Sequence, residues 1–394
     1  MKKLLIFTVL LSVVFANQLL AQTDSQYYAD YIRNNSEGAV EFVLSKLKRY
    51  PIVAIGEDHW IADHTPFLCE VLWEASKNDD TRPKILALEF GNELDQRLAN
   101  KITHYSEFMP DSVIKILQHA PDIYGNPYKE YFDVIKCVWE INQGLDFEKK
   151  ISIQLLDPAG VQDYFDGIKT SKATDRDMSM YQKLRWNLVN GDKVLFYAGQ
   201  AHTQRQIRGT LLKGTKYYYN FPSAGFLLKV SYPHQVYTID LWSPLNMGSG
   251  YDINPETGKW YEKSYGKFDN VFAINGNVPC GFDIADSPWG NITMAEYYGL
   301  PGKEDAYNSP ADDADPYTKN VLLSQLLDGI VFIKPSNEFK GATLINIYTP
   351  DFIETCKRRS KGNLTTPEEI LKQIQEWHPI LTFSNECQIG TSHR

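Results

Sequence analysis

The 394-residue sequence has only five cysteines, Cys69, Cys137, Cys280, Cys356 and Cys387, and no two are spaced as CxxC. That spacing excludes a zinc-thiolate centre and a dithiol redox motif, and no cysteine sits in a nucleophile signature. Neither a GxSxG elbow nor an HExxH helix occurs, so a serine-elbow hydrolase and a zincin are excluded as well. Internal repeats and low-complexity tracts are absent, and with them repeat architectures and long disordered arms. Positive charge is not in excess: the formal net charge is −9. A chain this acidic is a poor match for nucleic acid or an anionic membrane surface. After the first residues, no segment is long and apolar enough to cross a bilayer.

What is present begins with a leader. Lys2 and Lys3 precede an apolar run from Leu4 to Phe15, and small residues follow at Ala16 and Ala21. This is the pattern of a signal peptide over residues 1–21, cut after Ala21, with a cut after Ala16 or an uncleaved anchor as the alternatives, and an exported protein, periplasmic or secreted, is expected. No cysteine lies at the cut, so a lipid anchor is not expected. Loss of Lys2 and Lys3 moves the net charge from −9 to −11. A hydrophobic content of 43% and a charged content of 23% mark the rest as an ordinary globular chain. Export permits disulfides, and Cys356 with Cys387 is one pairing near the C-terminus; an odd count leaves at least one thiol over.

Apolar periodicity gives the order of elements. Residues 24–49 read as an amphipathic helical lead-in, with Ala39, Phe42, Val43 and Leu47 at helical spacing. Short, continuously apolar strands follow: Ile52–Ile55 running into Gly56, Ile85–Leu88 ending at Glu89, Ile151–Leu156 ending at Asp157, and Val194–Tyr197 running into Gly199 to His202. Between them lie a helix from His64 to Lys77, a helical stretch over residues 93–142 broken near Pro110, Pro121 and Pro127, and a helix from Asp177 closing on Gly191. Strands of this kind alternating with helices signify an α/β fold with a mainly parallel central sheet covered on both faces. Beyond residue 222, Phe226–Val230 and Val236–Leu241 read as antiparallel strands. Residues 243–320, rich in Gly, Pro, Asn, Asp and Tyr, read as a long irregular excursion, and Gly329–Ile333 as one more strand of the sheet. The expected organisation is one α/β domain over residues 22–350 and a helical tail over 351–394. The tail helix, Thr366–Trp377, has Thr366 as N-cap, Pro367 at N1 and Glu369 at N3.

One physical argument points to a site. Glu57, Glu89, Asp157 and His202 each stand at or just past the carboxyl end of an apolar strand. In parallel sheets that edge is where ligands bind, and four polar groups from four strands converge there. Gly56-Glu57-Asp58-His59 adds a second. Glu57 and His59 are two apart, so an extended backbone points both the same way and the carboxylate can orient the imidazole. Each residue alone also has a bland account: a helix cap at Glu89, a turn at Asp157-Pro158, a salt-bridged loop histidine at His59. His64 either shares the rim or merely begins its helix. His104, His119, His234 and His378 read as structural. Asp283, Asp286, Ser287 and Trp289 either form a lip of the cleft or are turn chemistry.

The same segments carry a resemblance. Val53 to His59 (VAIGEDH), Leu86 to Asn92 (LALEFGN) with Gln96, Asp175 to Met180 (DRDMSM) with Asn187, Val194 to His202 (VLFYAGQAH) and Asp328 to Ile333 (DGIVFI) resemble the motifs of the erythromycin-esterase-like and ChaN-like superfamily. These motifs span residues 52–333. The chain departs from the esterases proper in having Asp58-His59-Trp60, where they carry His-Gly after the Gly-Glu pair, and this puts macrolide substrates in doubt. The resemblance implies a hydrolase of ester or lactone bonds acting on a small molecule. Its site would consist of His59, Glu57, Glu89 and His202, with Arg176 fixing a carboxylate and Asp157 on the same rim. His59 is expected as base, oriented by Glu57 or Glu89, with His202 as the electrophilic partner and water as the nucleophile. No cofactor is required on this reading. The same resemblance leaves two others open: a protein that binds haem or a small ligand, and a metal-dependent hydrolase or protease with His59, Glu57, Glu89 and His202 as ligands.

Overall fold

The protein is described by a computed structural model that covers residues 24–120, 122–159, 173–211, 218–244, 253–254, 259–299, 321–360, 362 and 364–384. Residues 1–21, expected as a signal peptide, and Cys387 lie outside the described residues. Helix α1 (residues 24–35) is followed by β1 (Glu37–Gly38), α2 (Ala39–Arg49), β2 (Ile52–Glu57), α3 (His64–Ser76) and β3 (Ile85–Asn92). Three helices come next: α4 (Gln96–His104), α5 (Pro110–Gln118) and α6 (Lys129–Gln143). Then come β4 (Ser152–Asp157), a helix over Ala173–Val189, and β5 (Val194–Gly199). Strands β6 (Ile207–Leu211) and β7 (Tyr218–Pro222) form an antiparallel pair, followed by β8 (Val236–Leu241). Strands β9 (Ile253–Asn254) and β10 (Lys259–Trp260) pair with each other; β11 (Cys280–Asp283) and β12 (Gly329–Phe332) belong to the main sheet; β13 (Thr343–Leu344) and β14 (Thr382–Phe383) pair near the C-terminus.

The main sheet has eight strands in the order β1-β11-β12-β8-β2-β5-β3-β4. From β12 to β4 all neighbours are parallel; β11 and β1 add an antiparallel edge. The central strands β2, β3 and β5 are apolar up to their carboxyl ends because both faces are covered. Val53, Ile55, Leu86, Leu88, Leu195 and Tyr197 pack into one core with α2, α3 and α6. Their alternates Ile52, Ala54, Ala87, Val194 and Phe196 pack into another, with Met180, Leu184 and Leu188 of the 173–189 helix. The period of two therefore decides which layer receives each side chain at a strand end.

Two expectations are corrected here. Phe226–Val230 is not a strand: Ala224–Ser231 is a helix whose first turn is capped by Ser223 Oγ, which accepts from Phe226 N–H at 3.0 Å. Ala224, Gly225 and Leu228 are the residues it buries, and the four-residue spacing of Ala224 and Leu228 is hidden in a short stretch in which only Lys229 interrupts the apolar residues. Val236–Leu241 is a strand, but a central parallel one between β2 and β12, and all six residues are buried. The described residues of the aromatic excursion contribute to a third core. Trp242, Phe268, Phe272, Phe282, Trp289 and Tyr297 pack edge-on and offset around one another. Trp289 is fully buried, and Asp283 pairs with Lys46 of α2 at 2.9 Å. At Asp286-Ser287-Pro288 the chain turns with Asp286 at φ +59°, and Ser287 caps the short helix that follows.

Candidate active site

The carboxyl ends of β2, β3, β4 and β5 meet around a cavity of about 220 Å³ lined by Glu57, His59, Trp60, Glu89, Tyr131 and Arg176, among others. Glu57 continues the Val53-Ile55 face and so turns toward α3 and α6. There it accepts from Tyr131 OH at 2.6 Å through Oε1, while Tyr197 OH donates to Oε2. Tyr197 comes from the neighbouring strand, in register with Ile55 one pleat before Glu57. Burial first, and then the Glu57 charge, push both phenols well above the ordinary tyrosine value, so both remain donors. Phe90 stacks on Tyr131 at 4.2 Å and holds the ring in place.

Glu89 continues the Ala87 face and turns to the opposite layer, at a point where the β3–β4 register shifts. In that layer the buried stripe of the 173–189 helix runs Leu188, Leu184, Met180, and one turn further on it places Arg176. Arg176 grips two carboxylates. Its Nε and Nη2 donate to Asp157 at 2.5 and 3.1 Å, and Nη2 also donates to Glu89 Oε1 at 2.6 Å. Glu89 Oε2 accepts the Gly199 N–H at 2.7 Å, and Oε1 lies 3.1 Å from His202 Nε2. The other nitrogen of His202, Nδ1, lies 2.8 Å from Asp177 Oδ1, which also accepts the Ala224 N–H at 2.9 Å. The result is a buried line of alternating charge: Asp177, His202, Glu89, Arg176, Asp157. Burial works against the Glu89 charge, but His202 and Arg176 outweigh it and hold the carboxyl well below its usual range. Burial likewise opposes a charged His202, and Glu89 and Asp177 overcome it and raise the imidazole. With carboxylates at both nitrogens, the ring is an imidazolium. Burial pushes the Asp157 carboxyl up, against the pull of Arg176.

His59 stands between the two halves. Its Nδ1 is 3.0 Å from Glu57 Oε1 and 3.2 Å from Tyr131 OH. A Cβ on Gly199 would lie 2.9 Å from His59 Nε2 and 3.3 Å from Glu89 Oε2, so only glycine lets the imidazole and the second carboxylate share this corner. Gly56 is likewise required by close approach rather than by a sharp turn: a Cβ there would sit 2.6 Å from Thr203 Oγ1 and 3.2 Å from Gln200 Cα. Burial would lower the His59 pKa; its hydrogen bond to Glu57 and the charge of Glu89 outweigh that and raise it to about 9. The ring keeps 41% of its surface exposed at the mouth, so solvent weakens these pulls without reversing them. Trp60, the next residue, holds φ +66°, a conformation disfavoured for a bulky side chain. It is fixed by stacking on His378 at 3.8 Å and by its indole N–H donating to Tyr128 OH at 2.8 Å.

All six residues singled out in the sequence thus come together, in two rows. Glu57, His59, Glu89 and Arg176 line the cavity; Asp157 and His202 stand behind, joined to Glu89 directly or through Arg176. His202 is therefore placed to fix Glu89, not to touch a substrate as an electrophile. Asp58 points away, to Lys263 at 3.2 Å and to Ser243 Oγ. His64 is fully buried at the start of α3. Tyr131, Tyr197 and Asp177 were not given roles from sequence. A tyrosine inside an apolar strand, two residues before Gly199, was the available signal for Tyr197; Tyr131 had none.

The donor set does not suit a metal ion. Both His202 nitrogens face carboxylates and Glu89 is held by Arg176, and among the described residues no three His, Cys, Asp or Glu side chains are grouped to bind one. A cavity of about 220 Å³ is also smaller than the roughly 300–1,000 Å³ of sites for drug-sized ligands. A haem would need it to extend beyond the residues lining it here.

No family model and no curated protein matches the sequence. Solved structures do resemble it. A Bacillus cereus protein aligns over 79% of this chain and 98% of its own, with 12% identity and a TM-score of 0.51. ChaN of Campylobacter jejuni, solved with cofacially bound haem, aligns over 51% of this chain and 85% of its own, at 13% identity and a TM-score of 0.37. The erythromycin esterase EreC, a mutant in its open conformation, aligns over 74% and 92%, at 10% identity and a TM-score of 0.39. At these identities the likeness is one of fold: a mainly parallel α/β sheet flanked by helices.

Proposed function

We propose that this protein is a hydrolase that cleaves an ester or lactone bond by direct attack of water, working outside the cytoplasm after removal of its leader. The observation that carries the reading is the His59–Glu57 pair at 3.0 Å, with the other edge of the ring against Gly199 and Glu89 at the cavity wall. A carboxylate on Nδ1 fixes the tautomer in which Nε2 can accept a proton. In the proposed reaction neutral His59 takes a proton from water and the oxygen attacks the carbonyl carbon. Arg176, a fixed positive charge in the wall, favours the developing oxyanion. The tetrahedral intermediate then expels the alcohol, whose oxygen takes the proton back from His59; the products are a carboxylic acid and an alcohol. The small cavity favours a compact ester, or a larger substrate that inserts only its reacting end. Neither a metal nor an organic cofactor takes part.

A base with a pKa of about 9 is mostly protonated at neutral pH. Two units below that value, about one ring in a hundred is neutral. The rate on short p-nitrophenyl esters should therefore climb with pH and level off near 9, and it should persist in chelator. His59→Ala should lower kcat/KM by ~10²–10⁴-fold while the melting temperature stays close to wild type. If the folded protein turns over no ester in such a panel, or if His59→Ala retains full activity, the assignment is wrong.

A further inference from the structure

A different pair of side chains carries a second inference, independent of the hydrolase reading. Helices α3 and α6 cover the same face of the sheet and contribute Leu68, Val71 and Leu72 on one side and Val134, Val138 and Ile141 on the other to a single core. Cys69 lies on α3 and Cys137 on α6, 68 positions apart in sequence. The Cys137 thiol reaches the Cys69 carbonyl oxygen at 4.0 Å. The two thiols are also each other's neighbours. Cys137 is buried in the core and Cys69 is partly exposed, so a reagent has access to one member of the pair. The remaining described cysteines, Cys280 on β11 and Cys356 in the Pro350–Arg359 helix, are buried in separate places.

We infer that Cys69 and Cys137 are a disulfide-forming site, closed by thiol–disulfide exchange with an oxidised dithiol or glutathione disulfide and clamping α3 to α6. The exchange begins at the accessible member. The Cys69 thiolate attacks the S–S bond of glutathione disulfide, one glutathione leaves as thiolate, and a mixed disulfide remains. The Cys137 thiolate then displaces the second glutathione. Two S–H bonds are lost, one S–S bond forms, and both electrons pass to the glutathione pair. The adjacent Cys137 thiol and then burial hold the proton on Cys69, so the first step is slow at neutral pH and quickens in alkali. The clamp would matter for the cavity because α6 carries Tyr131, the donor to Glu57, and α3 follows the loop that bears His59.

The test uses the full chain without its leader, fully reduced and then incubated with glutathione disulfide in mildly alkaline buffer. Alkylation, digestion and mass spectrometry should show one linked peptide pair containing Cys69 and Cys137, and free thiols should fall by two from the five in the sequence. The melting temperature should rise by roughly 5 °C, as expected for closing a long loop in a chain of this size. Cys137→Ala and Cys69→Ala should each abolish that rise, whereas Cys280→Ala should keep it. Five persistent thiols, a stable glutathione adduct on Cys69 that Cys137 does not displace, or a link between any other pair would overturn the inference.

Discussion

The two halves of the site use opposite means to hold a carboxylate. Glu57 is held by neutral donors, the hydroxyls of Tyr131 and Tyr197, and shares one oxygen with a histidine that reaches solvent. Glu89 is held by full charges, Arg176 and His202, in a buried line that ends on two further carboxylates. Phenols held well above their ordinary value do not titrate in the working range, so the first half leaves the proton on His59 free to move. The second half is locked, because each charge there leans on the next and Glu89 and Asp177 are pinned further by the Gly199 and Ala224 N–H groups. One half is arranged to exchange a proton and the other to keep a fixed field beside it.

The largest effect should come from breaking the locked half. Arg176→Met keeps the apolar stem but strands Glu89 and Asp157, both buried, with His202 as the only cation left in the line. Removing one partner of a buried ionic network typically costs about 3–5 kcal/mol. Urea denaturation should show a loss of that order. Arg176→Lys should fall between, since an ammonium cannot repeat the fork that spans both carboxylates. A Met variant within about 1 kcal/mol of wild type would mean that this half is no rigid frame, and the contrast between the halves would fail.

A smaller effect, and a sharper one, comes from the exchanging half. Glu57→Gln removes the largest contribution that raises His59, so its imidazole should drop from about 9 toward the ordinary 6.5, by about one unit or more. Histidine NMR titration reads this directly, and the alkaline limb of the rate should move with it. Stability follows the same group. Because the folded value lies above the unfolded one, the contribution of His59 is complete below about pH 6.5 and is lost as pH rises through about 9. With the ring 41% exposed, that contribution is at most ~1 kcal/mol. Glu89→Gln should move His59 less, because Glu89 acts on it through charge rather than through a hydrogen bond. An unmoved His59 in the Glu57→Gln variant would refute the pairing.

The contrast also explains what could be read from the residues alone. The rim of the sheet was legible because Ile52–Ile55, Ile85–Leu88 and Leu155-Leu156 are apolar up to their ends, so Glu57, Glu89 and Asp157 stood out there. Arg176 was legible only within a motif: the helix was expected from Asp177, whereas it begins at Ala173 and so carries Arg176 one turn beyond Met180. The roles of the residues were not. Whether His202 faces the cavity or stands behind Glu89 depends on the short turn at Gln200–Thr203, where no periodicity operates. Tyr131 sits in the first turn of α6, more than seventy residues from Glu57, and nothing local distinguishes it from other buried tyrosines. The Ala224–Ser231 helix is hard to read for a related reason: a short, mainly apolar stretch such as Phe226–Val230 fits a strand and a helix equally, and Ser223 is the cue to a helix start.

The smallest effect should come from the hydroxyls that hold Glu57. Tyr131→Phe preserves the ring stacked on Phe90 at 4.2 Å and removes only the donor to Glu57 Oε1. Glu57 keeps Tyr197 and His59, so the cost should be about 1–2 kcal/mol, near the lower end for a hydrogen bond to a charged group. Tyr197→Phe should cost a similar amount through Oε2. Because both act on one carboxylate, the double variant should differ from the sum by at least ~0.5 kcal/mol, measured by denaturation, and that coupling should vanish in a Glu57→Gln background. Additive losses with Glu57 intact would mean that the two phenols do not share the carboxylate in solution. The proton on His59 would then rest on Glu57 alone, and the two halves of the site would be more alike than their contacts indicate.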